Sequence, residues 1–167
     1  MATPLDSAIF TALFTDEEIS DVLSDGAFVR ALVEVEVALA RAEARVGVIP
    51  AQAAEQMTKA TADKVDIAAL AKGTSRSGFP IIALIQEIRK QVGPDAAQFI
   101  HWGATTQDIM DTAWVLQLRS AIKVLKARVG EIARCLSALA DRHRDTVLAG
   151  RTHGQQALPI TFGQSRK

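Results

Sequence analysis

Apolar residues recur every three or four positions through most of the chain, which is the spacing of an α-helix that buries one face. One such stripe predicts a helix from about Phe28 to Arg45, which Gly47 and Pro50 then end. Strand-like alternation is scarce, so the predicted fold class is all-α. The stripe consists of Phe28, Leu32, Val35, Leu39 and Ala42.

Four shorter helices are predicted from capping residues and helix breakers. The first has Thr15 as its N-cap, Glu18 three residues later and Gly26 at its end, an arrangement typical of a capping box. The others cover about 50–62, 66–73 and 80–92, the second ending at Gly73. Residues 74–78 are predicted to be a loop, and residues 95–106 an extended or loop segment.

The longest uninterrupted pattern predicts one helix from Thr106 to about Arg144. Its apolar positions alternate spacings of four and three, as in a coiled coil, and a helix of this length is about 55 Å long. Such an apolar seam needs neighbours, from later in the chain or from other subunits. Pro159 is predicted to start a further helix. The seam consists of Leu118, Ile122, Leu125, Val129, Ile132, Leu136 and Leu139.

Composition excludes several classes of protein. The 19 basic residues balance 19 acidic ones, so neither nucleic acid nor a membrane surface is expected as a partner. No run reaches the roughly 18 apolar residues of a membrane span, and the N-terminus does not resemble a signal peptide. Cys135 is the only cysteine and is predicted to be packed within the long helix. A cytoplasmic location is expected.

Three polar clusters lie at helix boundaries: residues 73–78, 101–108 and 150–156. Thr105, Thr106 and Gln107 stand at the start of the long helix, where backbone N–H groups favour a carboxylate ligand. The alternative is that Thr106 is an N-cap and Asp108 a first-turn acid. The second and third clusters lie at opposite ends of the helix and could meet only between antiparallel neighbouring subunits.

The three histidines have different expected roles. His153, between Thr152 and Gln155, is a candidate general acid or base, the alternative being an ordinary surface residue. His101 is either a second site histidine or a structural one, and His143 is expected to be structural. No spacing indicates a metal site, and no glycine-rich phosphate loop is present, so no cofactor is expected.

Two of these segments carry a resemblance to a known family. HWGATTQDIMDTA, from His101, resembles the His-x-Gly-x-Thr-Ser-x-Asp-x-x-Asp-Thr-Ala segment of the fumarase/aspartase superfamily. GRTHGQQALPITFG, from Gly150, is similar to its Arg-Thr-His-Gly-Gln-x-Ala-x-Pro-x-Thr-Phe-Gly segment. The resemblance implies an N-terminal helical domain at 1–104 and, at 105–167, the beginning of a central helical bundle that assembles into a homotetramer.

The resemblance also implies a chemistry and a set of site residues. Thr105, Thr106, Gln107, Thr152 and Gln155 would bind a di- or tricarboxylate, with Ser77, Arg76 and His101 helping to position it. His153 would be the acid/base or its hydrogen-bond partner. Thr106 stands where the superfamily usually has serine, and it keeps the hydroxyl.

Within the superfamily the segments resemble the branch of lactonizing cycloisomerases that act on carboxymuconate. Adenylosuccinate lyases are the second candidate, but they usually carry a histidine where this chain reads SRSGFP. The superfamily's flexible third motif, Gly-Ser-Ser-x-Met-Pro-x-Lys, has no counterpart here. We therefore expect an N-terminal fragment, inactive alone. A non-enzymatic helical oligomerisation module is the alternative from another class.

Overall fold

The computed structural model describes residues 3–5 and 7–164. The chain divides into two compact units, Met1–Ile122 and Lys123–Lys167. The division falls inside the longest of the described helices. The domain boundary predicted at 104/105 stays a prediction.

Most of the described residues are helical, as predicted. No described helix combines the length and the hydropathy needed to cross a membrane. The helices are α1 (Thr11–Phe14), α2 (Glu17–Val22), α3 (Asp25–Arg45), α4 (Ala51–Met57), a 3-10 turn (Ala62–Lys64), α5 (Ile67–Ser77), α6 (Ile81–Arg89), α7 (Pro94–Ala97) and α8 (Thr106–Arg142), followed by the strands β1 (Val147–Thr152) and β2 (Gln155–Thr161).

The core of the first unit is built around α3, which packs against α4 and the 3-10 turn, while α5 packs against α6. Leu32, the second member of the predicted stripe, is fully buried. Helix α8 contributes Ile109 and Ala113 to the same core. The fully buried side chains of largest volume are Leu32, Glu36, Met57, Ile81, Leu84, Ile88 and Ile109.

The predicted first helix has different ends in the structure. Asp16, not Thr15, is the N-cap of α2, because its carboxylate accepts a hydrogen bond from the Ile19 amide. Gly26 does not end this helix. It lies in the first turn of α3, which Ser24 caps by accepting from the Ala27 amide at 3.2 Å. The prediction missed this serine cap, which separates α2 from α3.

Gly73 does not end α5 either, and residues 74–77 are helical rather than a loop. The helix ends at Gly78, whose φ of 81° is the left-handed conformation that glycine adopts without strain. Gly73 stays inside the helix for a packing reason. A Cβ at this position would lie 2.4 Å from Cβ of Ala83 in α6, so the glycine permits close contact between the two helices.

The predicted long helix is confirmed as α8, which has 37 residues. Its predicted seam is solvent-exposed in this chain. In the second unit the five seam residues are each 42% to 63% exposed: Leu125, Val129, Ile132, Leu136 and Leu139. Cys135 was expected to be packed, but it is exposed, because no other described helix covers this part of α8.

The segment after α8 contains strands, so the helix predicted from Pro159 is wrong. Strands β1 and β2 form an antiparallel hairpin in which Pro159 pairs with Ala149. A two-stranded hairpin has two free edges, where a proline without an N–H is tolerated. The turn residues His153 and Gly154 both have positive φ, 48° and 76°, as in the tight turns that favour hairpins.

Candidate active site

The start of α8 is closed by a reciprocal set of hydrogen bonds between Thr105 and Asp108. The Thr105 amide and hydroxyl both donate to Asp108 Oδ2, at 2.8 and 2.7 Å. The Asp108 amide donates back to the Thr105 hydroxyl at 3.3 Å. These bonds, first the one from the Thr105 amide, lower the pKa of Asp108. The capping residue is therefore Thr105, one position before the Thr106 considered in the sequence.

A groove of about 680 Å³ lies beside this helix start. Gln107 Nε2 donates to Asp111 Oδ2 at 3.1 Å, so one of its two amide protons is engaged. The half-buried Thr106 has no hydrogen-bond partner for its hydroxyl among the described residues, which leaves this group open to a ligand. A helix N-terminus with a free hydroxyl suits a carboxylate. The groove is lined by Phe79, Thr105, Thr106, Gln107, Met110 and Asp111.

The first polar cluster is close to this groove, but Ser77 and Arg76 do not line it. The Ser77 hydroxyl lies 2.8 Å from the Phe79 carbonyl oxygen and 3.1 Å from that of Gly73, so it is engaged locally. Arg76 is exposed at the end of α5. Phe79, two residues after Ser77, is the neighbour that lines the groove. The binding roles of Arg76 and Ser77 stay predictions.

His101 is turned toward α3 and pairs with a buried acid. Its Nδ1 lies 2.7 Å from Oε1 of Glu36, and the two side chains are 15% and 1% exposed. Burial raises the pKa of Glu36, and the hydrogen bond with His101 partly opposes this rise. His101 is thus placed for a structural role, while its predicted contact with the substrate stays a prediction.

A second groove, of about 620 Å³, lies on the α3 side of α8 and is poorly suited to an anion. Three acids line it, Glu34, Glu43 and Asp108, together with Trp102 and several apolar residues. Burial raises the pKa of Glu43. A carboxylate substrate would lie near three acids here but near one, Asp111, in the groove beside Thr106, which is therefore the better candidate site.

The third polar cluster belongs to the second unit and forms the hairpin turn. Thr152 ends β1 and Gln155 begins β2, with His153 at the tip. All three side chains are exposed, and His153 has no hydrogen-bond partner among the described residues. A tight turn with positive φ accepts histidine more readily than most residues. The catalytic role of His153, and the meeting of this cluster with the others between subunits, stay predictions.

Sequence reasoning missed Glu36, Phe79 and Met110. A signal for Glu36 existed, because it stands four residues after Leu32 and therefore on the buried face of α3. A charged residue on an apolar face is buried only with a partner. Nothing in the sequence identified that partner, which is 65 positions away.

Within residues 3–5 and 7–164, no three histidine, cysteine or acidic side chains cluster as metal ligands would. The groove beside Thr106 combines hydroxyl, amide and backbone donors with Phe79, Met110 and the acid Asp111. Such an arrangement can bind carboxylates and stabilise negative charge that develops on them.

Comparison with known proteins supports the resemblance seen in the motifs. The profile of a family described as lyase matches residues 7–166. The 3-carboxy-cis,cis-muconate cycloisomerase of Acinetobacter baylyi is 42% identical over 163 residues, which cover 94% of this chain and 36% of that protein. An adenylosuccinate lyase of Methanothermobacter thermautotrophicus is 41% identical over 133 residues, covering 79% of this chain and 30% of that protein.

A solved structure shares the fold. The crystal structure of the beta-carboxy-cis,cis-muconate cycloisomerase from Acinetobacter calcoaceticus superposes with a TM-score of 0.90 at 40% identity, covering 94% of this chain and 38% of that one. The chain thus spans little more than a third of the length of the cycloisomerases that it matches. The match over nearly all of its own residues shows that it belongs to this lyase family, the fumarase/aspartase superfamily.

Proposed function

We propose that this chain is the N-terminal part of a cycloisomerase that converts 3-carboxy-cis,cis-muconate to a carboxymuconolactone. The observation that carries the proposal is the groove at the start of α8, where the Thr106 hydroxyl is open to a carboxylate. The 42% identity to a cycloisomerase supports the choice of substrate.

The reaction requires hydrogen-bond donors directed at a substrate carboxylate. A carboxylate oxygen of the substrate attacks a carbon of its own double bond, forming the C–O bond of the lactone. The π electrons move into the neighbouring carboxylate, which becomes an aci-carboxylate with doubled negative charge. A proton then reaches the carbanion carbon, and the product is an isomer of the substrate.

The residues described here fit parts of this sequence of events. Thr106, the first-turn amides of α8 and the second amide proton of Gln107 would hold the substrate carboxylate and stabilise its developing charge. The groove would hold the attacking carboxylate near the alkene, which supplies the proximity contribution. His153 would be the acid that delivers the proton, brought to the groove by a neighbouring subunit. We further propose that the full-length protein is a cytoplasmic homotetramer that needs no metal or cofactor.

The test is a lactonization assay with the full-length protein and 3-carboxy-cis,cis-muconate. The reaction is monitored by the loss of the substrate's diene absorbance. We expect turnover that survives treatment with a chelator, and none from the 167-residue chain alone. Absence of turnover by the full-length protein would overturn the proposal.

Adenylosuccinate cleavage is the second candidate, favoured by the 41% identity to an adenylosuccinate lyase. The same protein should be assayed with adenylosuccinate, following fumarate release. Turnover of adenylosuccinate with no lactonization would select this alternative. Tricarballylate, a saturated tricarboxylate, tests carboxylate binding without turnover. If neither substrate reacts and tricarballylate does not bind, the non-enzymatic oligomerisation module becomes the favoured function.

A further inference from the structure

Glu36 is a buried acid with one described partner. Its side chain is 1% exposed, and its Oε1 lies 2.7 Å from His101 Nδ1. Its second oxygen, Oε2, is buried and has no hydrogen-bond partner among the described residues. Burying an unpaired carboxyl group is costly. The bond to His101 is therefore what makes this position tolerable for an acid.

His101 in turn lies in a left-handed stretch of backbone just before α8. Its φ is 60°, and Gly103 follows with a φ of 68°. Histidine adopts a positive φ more readily than most residues with a side chain, but the conformation still costs energy, which contacts with the surroundings offset. Ile100, directly before, is 5% exposed and anchored in the core. The ring bonded to Glu36 and this anchor together set the turn from which Thr105 and α8 begin.

We propose that Glu36 is a positioning residue for the carboxylate site, acting through His101 to hold the turn that presents Thr106 and the first amides of α8. The proposal rests on the proposed function and adds to it a residue that touches no substrate. The other acids near the pair are Glu43, whose charge makes the smallest contribution to the raised pKa of Glu36, and Asp108, at the start of α8.

The test compares two variants of the full-length protein. Glu36→Gln keeps the shape of the side chain and removes its charge. Glu43→Gln is the matched control, since Glu43 lies on the same helix and also has a buried, unpartnered Oε2. The probe is tricarballylate, whose binding needs no turnover. We expect Glu36→Gln to raise the Kd for tricarballylate by on the order of tenfold, the scale of one hydrogen bond to a charged group. Glu43→Gln should leave the Kd unchanged.

A coupling measurement separates positioning from a general loss of stability. His101→Gly removes the ring and keeps the positive φ, because glycine adopts it freely. If Glu36 acts through His101, Glu36→Gln adds no further loss of affinity in the His101→Gly background. Additive losses, or an equal loss in Glu43→Gln, would overturn the proposal.

A spectroscopic measurement distinguishes this proposal from the proposed function. In the unliganded protein with ¹⁵N-labelled histidine, the His101 ring signals are assigned by their loss in His101→Gly. They should move in Glu36→Gln and stay in place in Glu43→Gln. Unmoved signals in Glu36→Gln would refute the positioning role whatever the activity. The proposed function can fail while the positioning role holds. In that case the His101 signals move and the tricarballylate affinities are coupled, but the protein does not turn over carboxymuconate.

Discussion

His101 Nδ1 lies 2.7 Å from Oε1 of Glu36, although 65 positions separate the two residues. The contact ties the backbone before α8 to the middle of α3, the helix around which the core of the first unit is built. Since α8 begins five residues after His101, this bond joins the hydrophobic core to the candidate carboxylate site.

The buried acid should make stability depend on pH. Burial raises the pKa of Glu36 above its ordinary value of 4.5, so the folded state binds a proton more tightly than the unfolded state. The resulting stabilisation is present below pH 4.5 and is lost as the pH rises through the folded-state pKa. Glu36→Gln does not titrate. Thermal midpoints measured from pH 4.5 upward should fall more steeply in the wild type than in this variant, and parallel curves would contradict the assignment.

Two neighbouring threonines should behave differently when their hydroxyls are removed. Thr105→Val loses the hydroxyl half of the helix cap, so its thermal midpoint should fall, as for caps whose loss costs about 1 kcal/mol. Thr106→Val loses a hydroxyl with no described partner, so stability should be unchanged while KM rises about tenfold. Thr106→Ser should restore KM. A Thr106→Val enzyme with wild-type KM would show that this hydroxyl does not bind substrate.

His153 can be replaced without breaking the hairpin. Asparagine, like histidine, adopts positive φ more readily than most residues with a side chain, so His153→Asn should keep the turn at φ 48°. In the full-length enzyme kcat should fall by about 10²- to 10⁴-fold if the imidazole transfers a proton. The control is His143→Asn, which removes a histidine that contacts Thr146 and Phe162 instead. Equal losses in the two variants would speak against a specific role for His153.

Two glycines inside helices should respond in opposite directions to alanine. Gly73→Ala would place a Cβ 2.4 Å from that of Ala83, and forcing α5 and α6 apart should cost about 1–3 kcal/mol. Gly130 in α8 has no atom within 4 Å of the position that a Cβ would take. Gly130→Ala should therefore stabilise the helix by up to about 1 kcal/mol. Urea unfolding of both variants checks the two signs.

The exposed seam of α8 should be covered in the assembled protein. We expect the seam to contact neighbouring subunits of the proposed tetramer. Ile132 is 58% exposed, and a glutamate there would place a charge in that contact. Ile132→Glu should dissociate the proposed tetramer of the full-length protein, as measured by light scattering during size-exclusion chromatography. Lys126→Glu places the same residue at an exposed polar position of the helix, lowers the net charge by more than Ile132→Glu does, and should leave the assembly intact. Dissociation by both variants would point to net charge instead of the seam.

Much of the helical architecture was predictable because its signals are local. Helix α8 was predicted within two residues of its observed end, since its apolar spacing and the absence of proline act over one or two turns. The stripe of α3 was predicted for the same reason. The family resemblance came from two contiguous segments, which also lie within short stretches of sequence.

The errors came where distant residues decide the conformation. Glycine often ends a helix, but contact with Ala83 of α6 keeps Gly73 inside α5 as a packing position. Proline often starts a helix, but the turn at His153 and Gly154 pairs the segment of Pro159 with β1. In both places the residue type has the expected local preference, but a contact with another element outweighs it.

The sequence by itself determined most of the helices, their buried faces and the positions of the three polar clusters, because periodicity and capping act between near neighbours. The pairing of Thr105 with Asp108 is local too, since the two residues are three positions apart. Only the tertiary structure decided that His101 turns toward Glu36, because this contact joins residues 65 positions apart and forms only when the turn before α8 packs against α3. Because leaving a buried carboxyl group unpaired is costly, this contact constrains the fold as strongly as the hydrophobic pattern does.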